Sequence, residues 1–191
     1  NDGAWHHVAL VRDGQDLRWW VDGEGLPVGS ATNVLPLTNS APLTVGCSRF
    51  GGESFIGKLD ELVIYTYPRF RIGFEPPGRH DVTPGVVALM RFDDAGGLGL
   101  ETVNSVVASL SGAVEPSPDA APLADTCCGD GFVEEGEACD PPEVSGCLAA
   151  CEPATPLKRS ALFDGSGGCI QLSGTNLLNA VANMTVEFWV R

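Results

Sequence analysis

The sequence predicts an all-β protein, a sandwich or barrel of short antiparallel strands, and three observations carry that reading. Runs rich in aromatic and β-branched residues are short and are separated by turns of Gly, Asn, Asp and Pro. No stretch sustains the 3.6-residue apolar period of an amphipathic helix. The chain of 191 residues, 43% of them hydrophobic, is long enough for one core, or for one core and a small second module.

The elements follow in order. "WHHVALV" (5–11) and "LRWWVD" (17–22) flank "RDGQD" and read as a β-hairpin. In the second run Leu17, Trp19 and Val21 share one face, and Arg18, Trp20 and Asp22 share the other. The apolar trio is expected to face the core. That leaves Trp20 beside Arg18 and Asp22, an aromatic ring among polar groups, the combination that stacks on a sugar ring while binding its hydroxyls. His6 and His7 are adjacent, so they point to opposite faces and cannot chelate one ion together; packing or hydrogen bonding in the core is expected. "APLTVGCSRF", "SFIGKLDELVIYTY", "GVVALMRFD" and "MTVEFWVR" read as further strands. Pro and Gly collect at 73–85 and at 114–125. The first stretch reads as an interdomain linker and the second as a lead into a cysteine cluster.

Charge and cysteine usage narrow the function classes. With 11 Lys+Arg against 25 Asp+Glu, the net charge of −14 repels phosphate backbones and anionic lipid heads. Nucleic acid is excluded as a partner on that ground. Membrane insertion is excluded because no apolar run approaches about 18 residues. Of seven cysteines, five fall between Cys127 and Cys151 with no histidine nearby, at spacings that do not suit zinc. A disulfide-stapled loop is expected there, and with it an oxidising compartment. Cys47 and Cys169 stand alone in apolar surroundings, and the odd count leaves at least one thiol unpaired within the chain.

"WHHVALVRDGQDLRWWVDGEGLPVG" followed by "LTVGCSRFGGESFIGKLDELVIY" resembles the second half of a laminin G-like or pentraxin-like domain of the concanavalin A-like lectin/glucanase superfamily. Residues 161–191 resemble the opening strands of the same domain type, and "GVVALMRFDDAGGLGLETVNS" resembles the strand before them. The resemblance implies an antiparallel jelly-roll β-sandwich, incomplete or permuted because its halves occur in reversed order. The implied division is a C-terminal half at 1–67, a linker at 68–84, a first strand region of a second domain at 85–115, a linker with a cysteine-rich module at 116–156, and early strands at 157–191. A cut through a tandem array is expected over a circular permutant, since both chain ends fall inside a motif. The two halves are complementary and can pair into one sandwich. Cys128 to Cys151 resembles the Myxococcus cysteine-rich repeat; Cys128, Cys139, Cys147 and Cys151 allow three pairings, and Cys127 is extra to the pattern.

Glucanases of this superfamily place acid and nucleophile on one strand as Glu-x-Asp-x-Glu, and retaining hydrolysis needs carboxylates about 5 Å apart. Here Asp60 is flanked two residues away by Lys58 and Leu62, Glu61 is expected on the opposite face, and Glu187 stands alone. No catalysis is expected. Calcium is the one cofactor the resemblance allows, and Glu53 and Asp164 are its weak candidate ligands, Asp164 also suiting an Asp-Gly turn. The expected function is that of a non-catalytic binding module, extracellular or on a cell surface. Its ligand is expected to be a glycan, held at Trp20, Arg18 and Asp22, or else another extracellular protein. A structural spacer is a third reading.

Overall fold

The hairpin forms as its turn chemistry dictates. Strands β1 (His6–Asp13) and β2 (Asp16–Val21) pair antiparallel up to Asp13 opposite Asp16, leaving two residues in the loop. Gly14 takes φ +64° at the first of them, as a primed hairpin turn requires. The structure is a computed structural model that describes residues 2–25, 27, 29–32, 42–48, 52–93, 98, 107–122, 159–173 and 182–191. No helix occurs among the described residues, and the strands pair antiparallel in two sheets. The protein is an all-β sandwich.

The large sheet adds β3 (Gly29–Ala31), β5 (Ile56–Tyr65), β6 (Val86–Met90), β8 (Val114–Ser117), β9 (Ser160–Asp164) and β11 (Asn183–Val190) to the hairpin, in the order β3-β2-β1-β11-β5-β9-β8. The free edge of β5 is shared end to end, with β9 along Ile56–Leu59 and β6 along Leu62–Tyr65. β4 (Leu43–Val45), β10 (Cys169–Ser173) and β7 (Val107–Ser111) make the small sheet, in the order β4-β10-β7. Strands of both sequence halves thus interleave. β1 lies against β11, and β4 lies against β10.

The main core fills the space between the sheets. Leu59, Leu62 and Ile64 of β5, Met90 of β6 and Phe163 of β9 meet Ile170 and Leu172 of the small sheet. Leu59 and Leu62 can both face inward, three residues apart, because a bulge interrupts the β5–β11 ladder. Asp60 lies opposite Trp189 and Val63 opposite Glu187, so three steps on β5 match two on β11, and Glu61 takes up the extra residue at φ +48°. A disulfide joins Cys47, just beyond β4, to Cys169 of β10, across 122 residues of sequence. The cluster from Cys127 to Cys151 lies outside the described residues.

The outer face of the large sheet is also covered. Residues 66–85 leave β5 and return to β6, and the ends of this strap are tied by the Thr66 N–H donating to Gly85 O at 2.9 Å. Expected as part of a linker, the strap lies across the strands. Its Arg69 N–H donates to Thr185 Oγ1 and its His80 N–H to Glu61 Oε2, both at 2.9 Å. Phe70 and Phe74 stack on each other with ring centroids 3.4 Å apart.

Candidate functional site

Directly paired residues of an antiparallel ladder share a face. His7 is paired with Trp189, Ala9 with Glu187 and Trp20, and Glu187 with Val63, which puts these residues on the outer face under the strap. Trp20 is 0% exposed, and its ring meets Phe74 edge-on, with centroids 6.1 Å apart. The expectation that the Leu17, Trp19 and Val21 face would be buried and the Trp20 face open is reversed. Trp19 and Val21 are each 36% exposed. Alternation assigns side chains to two faces, but which face is covered depends on a segment some fifty residues further on, whose phenylalanines land on the Trp20 side. A sugar in solution has no access to Trp20 here.

The other members of the expected ligand site serve the turn and the rim. Asp22 adopts φ +53° and Gly23 φ +65°, a primed turn closed by the Glu24 N–H donating to Val21 O. The carboxylate of Asp22 accepts the His7 N–H at 2.8 Å and contacts His6 Nδ1 at 2.7 Å. This hydrogen bond with Asp22, supported by another with Asp2, holds the His6 imidazole above its ordinary range. Arg18 is half-buried and pairs with Asp16 at 3.1 Å. Gly23 also brings the strap close: its carbonyl accepts the Phe74 N–H at 2.8 Å, and a Cβ at this position would overlap Phe74 O.

A polar layer is enclosed between strap and sheet. His7, Glu61 and Glu187 are 0% exposed, Asp60 1% and His80 3%. Arg69 Nη1 donates to Glu187 Oε1 at 2.7 Å and to Tyr65 Oη at 3.1 Å, and its guanidinium lies over the Tyr65 ring. Tyr65 Oη is in turn 3.1 Å from His80 Nδ1. The Asp60 carboxylate accepts the N–H groups of Glu61 and Ala121 at 2.8 and 2.9 Å. Arg91 donates to the carbonyl of His80. His7 Nε2 lies 3.4 Å from Glu187 Oε2, outside hydrogen-bonding geometry.

Burial sets the protonation of this layer. It pushes the Asp60 carboxyl up to about 7, with Asp93 adding to the rise, and the Glu61 carboxyl up to about 8. It pushes the His80 imidazole down to about 3, assisted by Arg69, His7 and Arg91, so His80 is neutral at physiological pH. Tyr65 is raised by the same cause. Asp60 and Glu61 do not point to opposite faces as strict alternation requires. The bulge allows both to be buried, and each accepts an N–H from a segment outside the sheet.

Neither Glu53 nor Asp164 belongs to a group of three potential metal ligands among the described residues. Both are exposed, and Asp164 Oδ1 accepts from Ser166 N at 2.8 Å and Oγ at 2.6 Å, an Asx turn at the end of β9. One group of three potential metal ligands occurs among the described residues, His7, His80 and Glu187, with one ligand atom from each within 4.8 Å of the others. Of these, His80 carries no signal in the sequence that marks it as a ligand. It lies in a Pro- and Gly-rich stretch with no periodicity to tie it to β1 and β11, and only the fold brings it there.

No curated protein and no solved structure matches the chain. The proposed likeness of Cys128–Cys151 to a cysteine-rich repeat gains no support from comparison with known families. Residues 1–71, which supply β1 to β5 and the first part of the strap, match the family model of the concanavalin A-like lectin/glucanases superfamily.

Proposed function

We propose that the protein is a non-catalytic binding module of an extracellular or cell-surface protein, with a glycan as its ligand and Trp19 as the stacking residue. The observation that carries the non-catalytic reading is the burial of Asp60, Glu61 and Glu187. Hydrolysis of a glycosidic bond needs two carboxylates flanking the substrate, and these three are closed off from one. The Cys47–Cys169 disulfide fits an oxidising compartment. Trp19 is the large aromatic that β2 leaves exposed to solvent, on the face opposite Trp20, and a half-open indole is the sort of platform on which sugar rings stack.

Val21 is exposed to the same extent two residues along the same face, and Leu17 is half-buried there. This apolar row favours a second reading, docking of an extracellular protein. A glycan array probed with the chain in calcium and again in chelator separates the two. Binding that disappears in Trp19→Ala at unchanged melting temperature supports the glycan. Absence of binding in both conditions removes the glycan and leaves protein docking or a spacer role.

A further inference from the structure

From the convergence of unsatisfied ligand atoms under the strap, we propose that His7, His80 and Glu187 bind a divalent transition ion of the zinc class, which clamps the strap to the central strands. The inference goes beyond the binding-module reading and does not depend on it.

His7 Nε2, His80 Nε2 and Glu187 Oε2 are all buried, and none has a hydrogen-bond partner. Three buried polar atoms without partners are costly, because each loses its hydration without replacement. A shared cation satisfies all three at once. Two imidazoles and one carboxylate are a donor set that zinc takes, with a fourth position for water. Calcium, which is held by oxygens, does not fit. His7 Nε2 and Glu187 Oε2 are already 3.4 Å apart, the separation expected for two ligands of a tetrahedral ion at bond lengths near 2.0 Å, roughly 3.3 Å. One ligand atom from each of the three residues lies within 4.8 Å of the other two, so a side-chain shift of about 1 Å brings them to bonding distance of a shared ion.

The surrounding contacts orient the ligands. His80 Nδ1 faces Tyr65 Oη at 3.1 Å, so an Nδ1–H tautomer presents Nε2 to the ion. Glu187 holds Arg69 through Oε1 and keeps Oε2 free. His7 is seated edge-on against Phe74 and Trp189, with centroids 5.8 and 5.4 Å away. His7 Nδ1 has no partner and is not satisfied by the ion. The ligands come from β1, β11 and the strap, so the ion would join elements that are far apart in sequence.

The test uses the full untagged chain, stripped with chelator and then titrated with zinc and, separately, with cobalt. One equivalent of zinc is expected to bind and to raise the melting temperature, and cobalt is expected to give visible d–d absorption without a thiolate charge-transfer band. Both signals are expected to disappear in His80→Asn and in Glu187→Gln. Failure to bind zinc overturns the proposal. So does binding that survives both variants, or a thiolate band, since either would place the ion at the cysteines. If the variants do not fold, X-ray absorption of the zinc-loaded wild type decides: a first shell of nitrogen and oxygen with imidazole scattering supports the site, and sulfur overturns it.

Discussion

Glu61 occupies the bulge of β5 at φ +48°, fully buried, with its Oε2 holding the His80 N–H. Its carboxyl rises from 4.5 to about 8, and that of Asp60 from 3.8 to about 7, mainly because burial disfavours the charged form. Acids whose folded values lie above their unfolded values stabilise the fold at low pH, and that stability is lost as pH rises towards the folded values. Stability is therefore expected to fall between about pH 4.5 and pH 8, by up to about 1.4 kcal/mol per pH unit for each group, with the depressed His80 imidazole offsetting one of the two below pH 6.5. Glu61→Gln keeps the acceptor for His80 and is expected to flatten part of this slope in urea titrations done in chelator. A wild-type profile that is level over the same range would refute the assignment. The two tryptophans of β2 give a second contrast. Trp20→Ala removes a fully buried ring and is expected to cost about 3–5 kcal/mol, whereas Trp19→Ala is expected to cost far less; equal losses by thermal unfolding would contradict the assignment of faces.

Among the elements, the strap decides what the sheet can present. It is fastened to the β2 turn by the Phe74 N–H on Gly23 O and the Gly73 N–H on Gly25 O. Gly23→Ala places a methyl against Phe74 O in a backbone conformation that alanine resists. The expected result is amide exchange at Gly73 and Phe74 faster by more than tenfold, with the β1–β11 ladder still protected; unchanged exchange would show that the strap is held elsewhere. The strands themselves were legible, since "LRWWVD", "ELVIY" and "TVEFWVR" are short, β-rich and bounded by turns. The strap was not. Residues 73–85 carry the composition of a linker, and composition does not reveal that Phe74 and His80 meet a sheet face. The bulge was hidden for a related reason. Asp-Glu in a strand reads as one residue per face until a partner strand supplies one residue fewer.

At the scale of the molecule, the two sequence halves hold each other. The expected complementarity of a tail-like and a head-like half appears as the β1–β11, β5–β9 and β4–β10 ladders. The Cys47–Cys169 bond reinforces this across 122 residues, and the chain-entropy argument assigns it about 4–5 kcal/mol. Replacing both cysteines by alanine is expected to lower the urea midpoint accordingly, and an unchanged midpoint would deny the bond a stabilising role. The β1–β11 pairing also bears on how the protein is made. Asp13 pairs with Asn183, so this ladder closes a loop of about 170 residues, a contact of very high order. During synthesis the inner edge of the first hairpin waits open until β11, about 170 residues further along, has left the ribosome. A chaperone acting on the nascent chain would have most to protect along His6–Asp13.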